Sequence, residues 1–324
     1  MKKKRRWKIV GFSFLGIVIL VAAAIGFEAY QLKPANHFKS VPVVSSGKST
    51  GKASTNQQSG KKQSTNPKDL AFNVLIMGSD ARPGDKIGHS DSMLLAHVDL
   101  GKKQINVVSI PRDTRVYLEG YGYTKLTSVQ YILQAKNGPK QGIEGAVNAI
   151  SKLTGVPINY YAETNFDGLQ SMVDAVGGIN LDVPETIKIN NKVIQAGNHF
   201  VNGTMALAIA RERHSAADGD YARQMAQLEV LKGIGKRALS PSNISKLPSL
   251  VKSINKYMIG TNMSTSDMVS LGLAVKTINP SKQVHYQQIP GTGKVMYDDI
   301  LKANNDEIVI DQQKMKSIIA KNFQ

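Results

Sequence analysis

The sequence predicts an α/β protein whose layers surround a central mixed sheet, and three observations carry that expectation. The runs "AFNVLIMG", "SMLLAHVDL" and "QINVVSI", between residues 71 and 110, are aliphatic or β-branched, of strand length, and end in polar or turn residues. Helical and strand patterns alternate after them. The chain has 324 residues, 41% hydrophobic and 20% charged, enough for a sizeable core. Because the three opening strands follow one another closely, they read as hairpin-linked, which makes the sheet mixed rather than purely parallel.

The later elements follow in order. Helical patterns cover 127–136 and 141–154, and a strand covers 158–165. A helix at 166–176 is stopped by Gly177 and Gly178, and a strand at 179–183 by Pro184. Beyond residue 240 come two helical segments, a strand near 283–289 and a terminal helix from about 311. No repeat is evident, and no linker divides residues 69–324, which therefore read as one domain.

The amino terminus has a different composition. "MKKKRRWK" precedes "IVGFSFLGIVILVAAAIGF", residues 9–27, nineteen positions without a charge. At ~1.5 Å rise per residue such a helix covers roughly the ~30 Å hydrocarbon core. It predicts a signal anchor with the basic tail, residues 1–8, in the cytoplasm, Trp7 at the interface and the remainder outside the cell. A cleaved signal peptide is the alternative, since Ala22, Ala23 and Ala24 suit a peptidase, but the apolar run exceeds the usual h-region of about 7 to 15 residues. Residues 28–68, rich in Ser, Thr, Gly, Gln, Asn and Lys, predict a disordered, flexible extracellular linker.

Charge tests one function class directly. The formal net charge is +17, but residues 1–68 hold 13 basic residues against one acid, and residues 69–324 hold 28 against 23. Most of the excess sits in the tail and linker, so nucleic acid is not an expected partner of the folded part. The absence of cysteine excludes disulfide frameworks, Cys zinc sites and thiol nucleophiles.

Polar residues collect at strand ends, where open α/β sheets place ligands. "GSDAR" supplies Asp80 and Arg82, "GHSDS" supplies Asp91, "SIPRDTRV" supplies Arg112, Asp113 and Arg115, and "YTKLTS", within a glycine- and tyrosine-rich loop, supplies Lys125. Further on, "GTMALAIA" leads into Arg211 and Arg213, and a following helix presents Asp220, Arg223, Gln224 and Gln227 within a sector of about 100°. Arg211 and Arg213 converge only if the first helix ends at about Arg211 or the chain is extended there. Guanidinium forks suit phosphate oxygens, and carboxylates such as Asp80 and Asp91 suit a hard cation such as Mg²⁺. Together they point to a metal-bound di- or polyphosphate; the alternative is that the same groups pair with each other to brace loops. There is no G-x-S-x-G, no H-E-x-x-H and no P-loop, and the six histidines lack ligand spacing. His89 and His214 stand beside the candidate residues.

The motifs "NVLIMGSDAR", "HSDSMLLAHVD", "VVSIPRDTRV", "INYYAETNFDGLQSMVDAVGGINLDVP" and "ALAIARERHSAADGDYARQMAQ" resemble, in content and order, those of the LytR-CpsA-Psr family over residues 70–239. The resemblance implies a membrane-anchored protein of a Gram-positive type envelope, with an extracellular α/β/α sandwich. It implies transfer of a glycopolymer, such as teichoic acid or capsular polysaccharide, from a polyprenyl pyrophosphate carrier to peptidoglycan with Mg²⁺ or Mn²⁺, forming a phosphodiester. On that footing Asp80 and Asp91 hold the metal, and with Arg112 and Asp113 make up the catalytic set. The pyrophosphate falls to Arg82, Arg112, Arg115, Lys125, Arg211, Arg213, Arg223 and Gln227. Asp80, Asp91 and Asp113 are the possible general bases. The sequence departs from the family's usual pattern at His89, where Arg is frequent, and at Ala226, where an Arg precedes the Gln. Residue 226 falls about 120° from Asp220, off the polar sector, so its loss should adjust affinity only. A carrier lipid needs an apolar tunnel, for which helices 143–153 and 166–176 are the candidates, although each of their apolar residues taken singly reads as ordinary core, and membrane lipid is the matching partner. A binding protein without turnover, a pyrophosphatase and, least in keeping with the charge, a transcriptional attenuator are the rival readings.

Overall fold

Aliphatic side chains on both sides of the opening strands can be buried only if other elements cover both faces of their sheet. A computed structural model of the chain describes residues 32–38, 41–45, 70–82, 85, 87–183, 185–189, 192–212 and 220–323. The basic tail, the apolar run 9–27, residues 46–69 and Arg213 lie outside the described residues. Among the described residues no helix is long and apolar enough to cross a membrane.

The first half comprises α1 (Pro34–His37), β1 (Ala71–Ser79), β2 (Ser90–Asp99), β3 (Gln104–Ser109), β4 (Arg115–Leu118), β5 (Gly122–Lys125), α2 (Leu126–Asn137) and α3 (Pro139–Thr154). Next come β6 (Tyr160–Asn165), α4 (Phe166–Ala175), β7 (Ile179–Val183), β8 (Ile187–Ile189), β9 (Lys192–Ile194), β10 (Gly197–Val201) and α5 (Gly203–Arg211). The chain closes with α6 (Asp220–Ala238), α7 (Leu247–Asn255), β11 (Met258–Thr261), α8 (Thr265–Val275), α9 (Pro280–Gln283), β12 (Val284–Gln288), β13 (Gly291–Asp298), β14 (Ala303–Ile310) and α10 (Gln312–Asn322).

The central sheet has the order β11-β6-β1-β2-β3-β12. β1 to β3 pair antiparallel as neighbours, whereas β6 joins β1, and β12 joins β3, in parallel. The sheet is therefore mixed, as the hairpin-linked opening implies. On one face Leu75, Met77, Met93, Leu95 and Val108 pack against Val129 of α2 and Ile143, Val147 and Ile150 of α3. On the other, Leu94, Ala96 and Val107 meet Leu228 of α6, and Phe38, Phe72, Val98 and Tyr160 form an aromatic corner near Leu271 and Val275 of α8. A further cluster joins α4, β7, β10, α5, α6 and α7 through Val173, Leu181, Ile209, Val230 and Val251. Each fully buried side chain of this size contributes roughly 1.5–3 kcal/mol.

α4 ends as the sequence predicts. Gly177 and Gly178 take φ of +80° and +82°, left-handed values that residues with a Cβ rarely adopt.

Two expectations need correction. The linker assigned to 28–68 is not uniformly free: Phe38 is 1% exposed in the aromatic corner, Val41 is buried, and Val44 N–H donates to the Ile158 carbonyl at 2.8 Å. The apolar residues in 32–45 are sparse but find long-range partners that composition does not reveal. The glycine- and tyrosine-rich stretch after Arg115 is the hairpin β4–β5 rather than a loop, and it lies against a second unforeseen hairpin, β13–β14, through a bridge from Thr114 to Ile308.

Candidate active site

The cavity at the carboxyl end of β1 owes its shape to a β-bulge. Gly78 pairs with Ser92 but Ser79 pairs with Ser90, so β2 carries one extra residue, Asp91. Met93 and Leu95 face α2 and α3, and unbroken alternation would send Asp91 the same way. The bulge reverses that alternation. Asp91 lines a cavity of about 920 Å³, and Ser90 turns to the helix side, where its hydroxyl donates to Gln130 Oε1 at 2.5 Å. Gly88 permits the close approach of this segment to β1, because a Cβ there would stand 2.5 Å from Ser79 Oγ and 2.8 Å from Ala81 Cβ.

Four arginines meet in this cavity: Arg82, Arg112, Arg211 and Arg223. Arg112 Nη1 donates to Asp91 Oδ1 at 2.7 Å, and Arg223 Nη2 donates to the Asp91 carbonyl at 3.2 Å. α5 stops at Arg211, where Glu212 turns extended with ψ 133°, so the helix ends where convergence of Arg211 with Arg213 requires, Arg213 itself lying outside the described residues. The Arg211 guanidinium lies 4.6 Å above the Phe166 ring at the start of α4. Asn165 caps α4 by accepting from Gly168 N–H at 2.9 Å, and its amide donates to the Ala81 carbonyl at 3.0 Å, tying α4 to the Asp80 loop. Asp80 in turn accepts from His89 N–H at 2.7 Å, and the His89 ring stacks on Tyr131 at 4.5 Å. Gln227 joins Arg223 in the lining, one helical turn along α6. Ala226 instead points into the apolar cluster with Ile209, away from the cavity.

The lining carries five carboxylates, Asp80, Asp85, Asp91, Asp167 and Glu212, beside its four arginines. A polyphosphate alone would therefore meet at least as much negative as positive charge, and a divalent cation relieves that conflict. No cluster of three or more metal-type side chains forms among the described residues. Asp80 and Asp91 nevertheless suit Mg²⁺, which takes one or two carboxylates and completes its shell with water and substrate phosphates.

Below Ser90, Gln130 Nε2 donates to Glu163 Oε1 at 2.6 Å, and the Glu163 carboxyl is fully buried. Burial pushes this carboxyl up to about 7, against the opposing effect of the Gln130 bond. The native state thus holds a proton that the unfolded chain has lost above about 4.5, so stability falls as pH rises from about 4.5 to about 7. Glu163→Gln should remove roughly 3 kcal/mol of that fall. Urea midpoints of both proteins at pH 5 and pH 8 check this, and equal slopes would refute it.

A sequence profile of the LytR_cpsA_psr family matches residues 41–323. The chain belongs to the LytR-CpsA-Psr family. The match takes in the packed segment at 41–45 and the late hairpin, both outside the motif core of 70–239. Among similar proteins is the polyisoprenyl-teichoic acid–peptidoglycan teichoic acid transferase TagU of Bacillus mycoides (strain KBAB4), 29% identical over 301 residues, covering 93% of this chain and 92% of the relative. Among solved structures, B. subtilis TagV superposes with a TM-score of 0.64 at 27% identity, covering 78% of this chain and 96% of that one. A structure of TagT bound to LI-WTA superposes with a TM-score of 0.61 at 25% identity, covering 81% and 92%.

Within the LytR-CpsA-Psr fold, not every expected residue reaches the cavity. Asp80, Arg82, Asp91, Arg112, Arg211, Arg223 and Gln227 line it. Arg115 does not: strand alternation points it outward from β4, where it pairs with the buried Glu307, donates to the Tyr297 carbonyl at 3.1 Å and stacks on Tyr123 at 4.3 Å. Asp113 and Lys125 also stand outside the lining. They pair with each other at 3.1 Å, and Asp113 lies 3.7 Å from Arg112 Nε, so they steady that arginine from behind. Sequence reading passed over Phe166, Asp85, Asp167 and Glu212. The first opens a capped helix at a strand end, a signal that was legible.

Proposed function

We propose that the chain is a phosphotransferase that moves a wall glycopolymer from a polyprenyl pyrophosphate carrier to a peptidoglycan sugar hydroxyl outside the cell, with residues 9–27 anchoring it in the membrane. The observation that carries this reading is a charged cavity and an apolar groove that adjoin the same small pocket. The pocket shares Asp91, Phe166 and Gln227 with the cavity, and Ile76, Leu94 and Leu231 with the groove. The groove, about 430 Å³, runs between the sheet and helices α6 and α8, over Val74, Ala96, Val107, Leu228, Leu239 and Val275. A pyrophosphate head with a long hydrocarbon tail has this polarity profile. The tunnel expected along helices 143–153 and 166–176 is thus displaced: Ile143, Val147 and Ile150 fill the core on the opposite face, and α4 contributes only Phe166 and Leu169 to the shared pocket.

In the reaction the sugar oxygen bonds to the phosphorus that carries the glycopolymer, while the bridging P–O bond breaks and polyprenyl phosphate leaves. The hydroxyl proton passes to a carboxylate; Asp80 and Asp91 are the candidates, since Asp113 stands outside the lining. Positioning and charge neutralisation dominate such chemistry, and Arg112, Arg211 and Arg223 surround the place where charge develops. Mg²⁺ held by Asp80 and Asp91 would supply further neutralisation of phosphate oxygens.

The test is to incubate the full chain in vesicles with a polyprenyl pyrophosphate saccharide, Mg²⁺ and glycan strands. Saccharide linked to glycan through a phosphodiester supports the reading; polyprenyl phosphate released without linkage makes the protein a hydrolase. Leu231→Glu, which places a charge in the groove, should raise KM for a long-chain donor about tenfold or more and leave a short-chain donor nearly unaffected. Equal effects on both donors would remove the groove from lipid binding.

A further inference from the structure

The chain's tether and the apolar groove share one helix. Leu32 packs into the cluster around α4 to α8, its carbonyl accepts from Ser270 Oγ at 3.1 Å, and His37 Nε2 lies 2.7 Å from Asp267 Oδ1. Both partners are on α8. The apolar run ends at Phe27, and the five residues from there to Leu32 reach no further than about 18 Å even fully extended. α8 also forms a wall of the groove through Leu271 and Val275, with Lys276 at its C-cap. Six residues, about 9 Å of helix, separate Ser270 from Lys276.

The charged side chains in the groove's own lining are of one sign. Its lining includes Lys232, Lys236 and Lys276 and no acid. Lys232 is held by Glu229 at 2.6 Å, whereas Lys236 and Lys276 are exposed. Lys282 stands exposed on α9, between the lining residues Pro280 and Val284.

From the short tether, the shared helix and the basic rim together, we infer that this edge of the groove docks on an anionic lipid bilayer. Lys236, Lys276 and Lys282 meet the headgroups, while the apolar floor opens toward the acyl chains. Lysine suits this role, since its apolar stem lies along the groove while its ammonium reaches the headgroup layer. A lipid-linked substrate then passes from leaflet to groove without its tail crossing water. The inference rests on the proposed membrane anchoring of residues 9–27.

The chain's lack of cysteine makes the test direct. Thr277→Cys beside the rim and Val295→Cys on the exposed β13 strand would each be labelled with a fluorophore in the full-length protein. The protein is reconstituted in phosphatidylglycerol-containing vesicles that carry a headgroup quencher. Quenching at position 277 should exceed that at 295 at least threefold, and Lys236→Glu with Lys282→Glu should bring it down to the level of 295. Equal quenching at the two positions, or a signal indifferent to charge reversal, overturns the docking. An alkaline carbonate wash separates the premises: protein released by the wash overturns the anchor and the docking with it, whereas retained protein with equal quenching overturns the docking alone.

Discussion

Arg112→Ala should lower kcat/KM for glycopolymer transfer by about 10²–10³, the usual effect of removing one preorganised donor from a site where charge develops. Arg112 is where two functions coincide. Its guanidinium lines the cavity, and it holds the Asp91 carboxylate at 2.7 Å, so its loss also frees Asp91 to turn toward other cations. Arg112→Lys should recover little, because a single ammonium cannot both grip Asp91 and present a flat fork to phosphate. The folded state should barely change, since Arg112 is partly exposed. Steady-state kinetics with a defined donor, alongside a thermal melt, check both statements. Wild-type turnover in the alanine variant would take Arg112 out of the chemistry.

Arg115→Ala should have the opposite profile. The Glu307 side chain is fully buried, and without Arg115 its charge is left uncompensated, at a cost of about 3–5 kcal/mol. The lost bond to the Tyr297 carbonyl and the lost stacking on Tyr123 loosen the contact between the two hairpins as well. Urea unfolding should show the drop, while turnover per folded molecule stays near wild type. Replacing both partners, Arg115→Met with Glu307→Gln, should restore much of the stability. A variant that is stable but inactive would return Arg115 to the site.

These two arginines show what the sequence can and cannot express. Both lie in "SIPRDTRV", three residues apart, with the same side-chain chemistry. What separates them is the register of β4, which turns Arg115 toward a hairpin almost two hundred residues later in the chain. No local pattern encodes that meeting. The three opening strands, the helices at 126–137 and 139–154 and the stop at Gly177 were legible because periodicity and turn chemistry act within a few residues. The clustering of Asp80, Asp91 and Arg112 was legible because strand ends gather in an α/β sheet, whereas Arg211 and Arg223 were legible only through a helix end and the polar face of the helix that follows it. The bulge that aims Asp91 was not, since it exists only in the pairing of β1 with β2. Nor was the location of the groove, because Leu, Ile and Val look alike whether they face a core or a lipid. Residues 32–45 were misread for a related reason: a few anchoring side chains, Phe38 foremost, outweigh a composition that otherwise favours disorder.

α6 touches both the cavity and the groove. Arg223 and Gln227 on its first turns face the charged cavity, and Leu228, Leu231, Gly235 and Lys236 continue along the groove, so about 20 Å of one stiff rod spans head to tail. If the groove holds the lipid tail as proposed, such a rod acts as a ruler. A ligand is gauged by how far its hydrocarbon extends from its phosphates, and a shortened tail leaves the far stretch of the rod wet whatever sugar it bears.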